Sequence, residues 1–145
     1  EGSEFDHMMF DRCEQESKKS SDWWYRIGAV LVKNGYPLIA AHNNHVPSNH
    51  MPYVNGDPRV HFRAGTFVDV STADHAERAI IAHAARQGIS TNEAELYVTR
   101  FPCPSCARSI VKAGIKKVYF ESGYSSLDAQ EILKYYSVEI ILVKR

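Results

Sequence analysis

Two short clusters in this chain carry residue types that do chemistry rather than packing: His75-Ala76-Glu77 and Pro102-Cys103-Pro104-Ser105-Cys106. One imidazole and two thiols make the borderline-soft donor set that zinc prefers. Cys103 and Cys106 lie three apart, so one helical turn brings both sulfurs to the same side. Three protein ligands leave a fourth tetrahedral position open, which marks a catalytic site rather than a closed structural one. The expected cofactor is zinc on His75, Cys103 and Cys106. Both clusters fall at the start of an expected helix, where partial positive charge and unpaired N–H groups favour thiolate over thiol. Glu77, two residues from His75, lies beside the ion without having to bind it. A carboxylate there can take a proton from water at the metal and hand it to a leaving group too basic to depart unprotonated.

Other assignments of the same residues explain less. A redox Cys-x-x-Cys leaves His75 and Glu77 without a role. A structural zinc needs a fourth ligand, and His83 is eight residues from His75, roughly 12 Å along a helix. Cys13 or a loop histidine remains open for that position; otherwise Cys13 reads as a small buried apolar side chain. His42, His45, His50 and His61 have no fixed spacing and read as solvated, with a second metal or a phosphate contact as the sharper alternative. Trp23-Trp24-Tyr25 reads as packing before base stacking. Arg59 and Arg63 read as surface residues, or as phosphate ligands from a binding loop.

The elements that must position these groups follow from pattern. A helix is expected from Asp6 to about Ser20, with Phe10, Cys13 and Ser17 at helical spacing. A buried strand over 26–32 is followed by Asn34-Gly35, the strongest short hairpin signal, and a return strand over 38–41. From Pro47 to Asp74 no period is visible, and a loop of that length in a compact domain is usually functional. The chain then alternates: helix 75–87, strand 95–100, helix 104–113, strand 116–120, helix 126–136 and strand 138–143. Crossovers of this length favour parallel neighbours. The expected fold is a three-layer α/β/α sandwich on a five-stranded mixed sheet, its first two strands antiparallel and its last two parallel. Glu1–Phe5 reads as a cloning scar, set aside from the fold, with 6–145 as one zinc-dependent domain.

Composition narrows the partners. Lys plus Arg and Asp plus Glu are 17 each, so the basic excess of a long nucleic-acid binder is missing and a small substrate is expected. No run of 18 apolar residues or signal peptide is legible, so no membrane partner is expected. Three cysteines without secretion signals are no disulfide framework, and the default compartment is the cytoplasm.

Together the two clusters match the H-x-E…P-C-x-x-C signature of zinc deaminases. The chain resembles the cytidine and deoxycytidylate deaminase superfamily from about Trp23 to Val143. The likeness takes in Gly28-Ala29-Val30, Leu96-Tyr97-Val98-Thr99 leading to Phe101-Pro102-Cys103, and Ala113-Gly114-Ile115-Lys116-Lys117-Val118. It implies a sheet of the cytidine deaminase type, with Asn44 and Ala76 contacting substrate. Asn44, in Asn44-His45-Val46-Pro47, matches the family's sugar-binding Asn, and Asn43 competes for that assignment. A last strand parallel to its neighbour belongs to the deoxycytidylate and tRNA-adenosine branches. Phe101 before Pro102-Cys103 resembles the former, where the tRNA branch usually has Glu. The tRNA branch also carries a basic C-terminal helix, whereas this sequence ends at Lys144-Arg145. Ala79 stands where the deoxycytidylate branch commonly has Asn. The resemblance thus implies hydrolysis of dCMP to dUMP by a homo-oligomer. Another amino-heterocycle, tRNA or single-stranded nucleic acid is the alternative substrate, and a non-enzymatic zinc-binding module the last alternative.

Overall fold

The computed structural model describes residues 3–20, 26–45, 73–123 and 127–144, with the backbone alone for 44, 45, 73 and 74. In chain order the elements begin with α1 (Glu4–Ser17), β1 (Gly28–Lys33), β2 (Tyr36–His42), β3 (Asn44–His45) and β4 (Ala73–Asp74). They continue with α2 (Ala76–Gln87), β5 (Glu95–Arg100), α3 (Pro104–Lys112), β6 (Lys117–Ser122), α4 (Leu127–Tyr135) and β7 (Glu139–Leu142).

Asn34 and Gly35 decide the first hairpin. Their φ angles of 53° and 81° are both positive, as a two-residue hairpin turn of this kind demands. β1 and β2 pair antiparallel, and the register shifts between Leu31, opposite Ile39, and Val32, opposite Pro37. One extra residue in β2 makes that bulge. The five long strands lie in the order β2-β1-β5-β6-β7. β1 is antiparallel to β5, whereas β5, β6 and β7 run parallel.

Period-two alternation sends the strands' apolar residues to both faces. Leu31, Leu96, Val98, Val118 and Phe120 face helices α2, α3 and α4, whose Ile80, Ala84, Ile110 and Leu133 close that layer. Val30, Val32, Tyr97 and Tyr119 face Met9, Phe10 and Cys13 of α1. The result is the anticipated three-layer α/β/α arrangement with its last two strands parallel. Among the described residues no helix is long and apolar enough to cross a membrane.

Three expectations are corrected. Ser3, Glu4 and Phe5, set aside with the rest of Glu1–Phe5, take part in the fold. Ser3 and Asp6 form a capping box at the start of α1, and the Phe5 ring meets Tyr97 edge-on at 6.3 Å. α1 stops at Ser17 rather than near Ser20, and Ser20 instead donates its hydroxyl to the Asn43 carbonyl. β3 and β4, too short to leave a periodic signal, pair antiparallel with Asn44 opposite Asp74 and His45 opposite Ala73. Trp23-Trp24-Tyr25, Arg59, Arg63, His50, His61 and most of the 47–74 loop lie outside the described residues.

α1 packs so closely on the sheet that Gly28 has no room for a side chain. A Cβ there would stand 1.9 Å from the Cys13 carbonyl oxygen and 2.8 Å from the Ser17 nitrogen, both main-chain atoms. Gly28→Ala is expected to lower stability by about 3 kcal/mol, the upper range for overpacking, because helix backbone must move as a body. Urea denaturation of the two proteins checks this; a loss below about 1 kcal/mol would show that α1 shifts freely.

Candidate metal and active site

His75 and Cys103 hold the same place in two elements. Each is the extended N-cap residue of its helix, α2 and α3 respectively, and neither side chain caps its own helix. Ordinary N-caps bond a free N–H of the first turn, an interaction worth about 1 kcal/mol. Here both side chains turn toward one another. Their carbonyls still start the helices, accepting from Ala79 N–H at 2.9 Å and Ala107 N–H at 2.8 Å. Pro104 at the first helical position costs α3 no hydrogen bond. The approach to Cys103 is pinned to β6: Phe101 N–H donates to the Ser122 carbonyl at 2.9 Å, and the Phe101 ring meets Phe120 edge-on at 5.0 Å.

His75 Nδ1 stands 3.2 Å from Cys106 Sγ and 3.6 Å from Cys103 Sγ, and the three donor atoms all lie within 4.8 Å of one another. Bonds of ~2.0 Å to nitrogen and ~2.3 Å to sulfur at tetrahedral angles would set such atoms roughly 3.5–3.8 Å apart. The spacing and the N/S donor set therefore fit zinc. Glu77, one residue into α2, is buried at 3% exposure. Its charge acts on His75 and on Cys106, raising the pKa of both.

Without a cation the donors share protons. The Cys106 thiol donates to Cys103 and, with His75, holds Cys103 down at about 4 despite burial. Cys106 is pushed far up as that donor and by burial. Cys106 is the sulfur nearer the imidazole, but Cys103 carries the charge, and its hydrogen bond is the chief cause raising His75 against desolvation. A metal binding below about pH 6.5 must therefore displace two protons, one from His75 and one from Cys106, while Cys103 is already ionised. Affinity should rise with pH. Calorimetric titration of zinc into metal-free protein, in buffers of different ionisation enthalpy at about pH 6, should give two protons released per ion. Release of three would mean that Cys103 is an ordinary thiol.

The remaining sequence candidates separate. Asn44 pairs through its backbone with Asp74, the residue before His75. Ala76 is fully buried, its methyl in the core under α2, so it can offer a ligand its main chain only. Cys13 is no fourth ligand: it lies on the α1 face, its thiol 3.5 Å from the Tyr97 carbonyl. His83 is exposed on α2 and outside the donor group. His42 Nδ1 is 2.9 Å from Glu16. Burial raises the Glu16 pKa, but hydrogen bonds from His42 and Lys19 outweigh that and hold it low. Sequence reasoning missed the Phe101–Phe120 contact; an aromatic beside Pro-Cys at the end of a strand was the available signal.

The profile of the cytidine and deoxycytidylate deaminase zinc-binding region matches residues 3–122. The chain belongs to that family. It is 40% identical over 67 residues to ComE operon protein 2 of Bacillus subtilis, covering 46% of this chain and 35% of that protein. It is 38% identical over 73 residues to the deoxycytidylate deaminase of enterobacteria phage T2, covering 49% and 39%. The matched stretches thus span little more than a third of those relatives. Among solved structures, the dCMP deaminase of cyanophage S-TIM5 is similar over 99% of this chain and 100% of its own, with 25% identity and a TM-score of 0.77. That enzyme is also known in complex with dCMP and dUMP, a structure 26% identical with a TM-score of 0.75.

Proposed function

We propose that this protein hydrolyses dCMP to dUMP, with zinc held by His75, Cys103 and Cys106 and with Glu77 carrying the proton. The observation that supports it most is the convergence of three zinc-type donors at two helix starts with one buried carboxylate beside them. Zinc at this position would supply Lewis acidity toward water. The rest falls to the chain. Glu77 takes the proton of the attacking water, whose oxygen bonds to C4 of the ring. It gives that proton to the ring nitrogen N3, then carries the proton of the new C4 hydroxyl to the amino group, so that the C4–N bond breaks, ammonia leaves and C4 becomes a carbonyl. Burial keeps bulk water from competing for the carboxylate.

Asn44 holds the sugar and Ala76 contributes through its main chain. Arg59 and Arg63 of the long loop supply cations for the 5′-phosphate, which suits a chain with no net charge. The choice of dCMP is supported by Phe101 before Pro102-Cys103, by parallel β6 and β7, and by the named phage relatives. A homo-oligomer in the cytoplasm belongs to the same reading.

The ratios of kcat/KM for dCMP, CMP, deoxycytidine and cytidine test it. dCMP should exceed deoxycytidine by at least ~10²-fold, the worth of two charge-assisted hydrogen bonds to phosphate. Equal rates for the nucleosides would mean that the site reads base and sugar alone.

A further inference from the structure

We infer that Asn43 is a positioning residue that lifts the chain out of the main sheet and sets Asn44 beside the metal site. The inference rests on the reading of Asn44 as a substrate contact. Gly28 and His42 are the last paired residues of β1 and β2. The next rung would join Ile27 and Asn43 by two main-chain hydrogen bonds. One is present: Asn43 N–H donates to the Ile27 carbonyl at 3.1 Å. The other is replaced. Ile27 N–H donates at 2.9 Å to the side-chain Oδ1 of Asn43, not to its main-chain carbonyl. That carbonyl has turned away and accepts the Ser20 hydroxyl at 2.8 Å.

Asn43 and Ser20 are both 4% exposed, so each of these bonds replaces one that water cannot supply. The carboxamide closes the ladder in place of its own peptide group, and the peptide group is thereby released to change direction. The change of direction is what β3 needs. Asn44 and His45 leave β1 and pair instead with Asp74 and Ala73, and Asp74 precedes His75. A residue without a side-chain acceptor at 43 would leave the half-buried Ile27 N–H without this partner, or draw the peptide back into the ladder and Asn44 with it. Asn43 therefore serves as the hinge, and the sugar-binding assignment falls to Asn44.

Two measurements test this in the 145-residue chain. Hydrogen exchange should be about tenfold faster at the Ile27 amide and at the β3–β4 amides in Asn43→Ala, the size of one lost buried hydrogen bond. β5 and β6 should keep their protection. Asn43→Asp, which retains the acceptor, should restore most of it, and Ser20→Ala should move the same amides without disturbing the core should Asn43→Ala fail to fold. Unchanged exchange at the β3–β4 amides in these variants overturns the inference.

The second measurement is a double-mutant cycle on dCMP turnover. Asn43→Ala should lower kcat/KM about tenfold in the wild-type background and less than about twofold in Asn44→Ala, because it acts through that residue. Equal losses in both backgrounds would assign Asn43 a general stabilising role and overturn the inference. If Asn44→Ala leaves turnover unchanged, the sugar-contact reading fails, and the exchange data alone decide whether Asn43 is the hinge.

Discussion

Glu77→Gln should lower turnover of dCMP by at least ~10²-fold while zinc content and unfolding temperature stay at their wild-type values. Glutamine keeps the size and one oxygen acceptor of the side chain but cannot accept and release a proton. Glu77 is buried on the first turn of α2, so the substitution disturbs no exposed network. It also removes a negative charge that favours protonated His75, an effect confined to the metal-free protein because zinc displaces that proton. The loss should appear in kcat with little change in KM, the pattern of an interaction made in the transition state. A variant within threefold or so of wild type would place the proton shuttle on another residue.

The larger effect is expected at the donors. Cys106→Ser and His75→Ala should each abolish stoichiometric zinc and cost at least ~10³-fold in kcat/KM, since the metal's contribution to charge stabilisation is several kcal/mol. The two losses should not add, because either one alone empties the same site. Chelation of the wild-type protein should reproduce the loss, and zinc should restore it. Because a ligand that binds only the folded state stabilises it, chelation should also lower the unfolding temperature. Retained zinc in both variants, measured by elemental analysis, would show that the ion sits elsewhere.

Much of this is legible in the amino-acid sequence itself. His75, Glu77, Cys103 and Cys106 are recognisable because metal chemistry demands specific side chains at helix-compatible spacing. The strand–helix alternation from Ala76 onward is legible because each element is long enough to show its own period. What was hidden lay in short or non-local features. β3 and β4 are two residues each and exist only as a pairing between distant segments. Ser3 and Phe5 belong to α1 through a cap and a ring contact with Tyr97, and local composition alone does not show either. Asn43 and Asn44 cannot be told apart as letters. They separate only when Oδ1 of Asn43 is seen bonded to Ile27 N–H. The bulge opposite Leu31 and Val32 is of the same kind, since one residue too many in β2 has no signature of its own.

The central claim is hydrolytic removal of the amino group from dCMP at this site. Zinc-loaded protein incubated with dCMP in water enriched in heavy oxygen tests it most directly, with the products followed by mass spectrometry and an ammonium assay. The account predicts dUMP carrying one solvent oxygen on the ring and one ammonium per dUMP, with both lost in Glu77→Gln. Unchanged dCMP alongside deamination of tRNA, single-stranded DNA or another amino-heterocycle would contradict it.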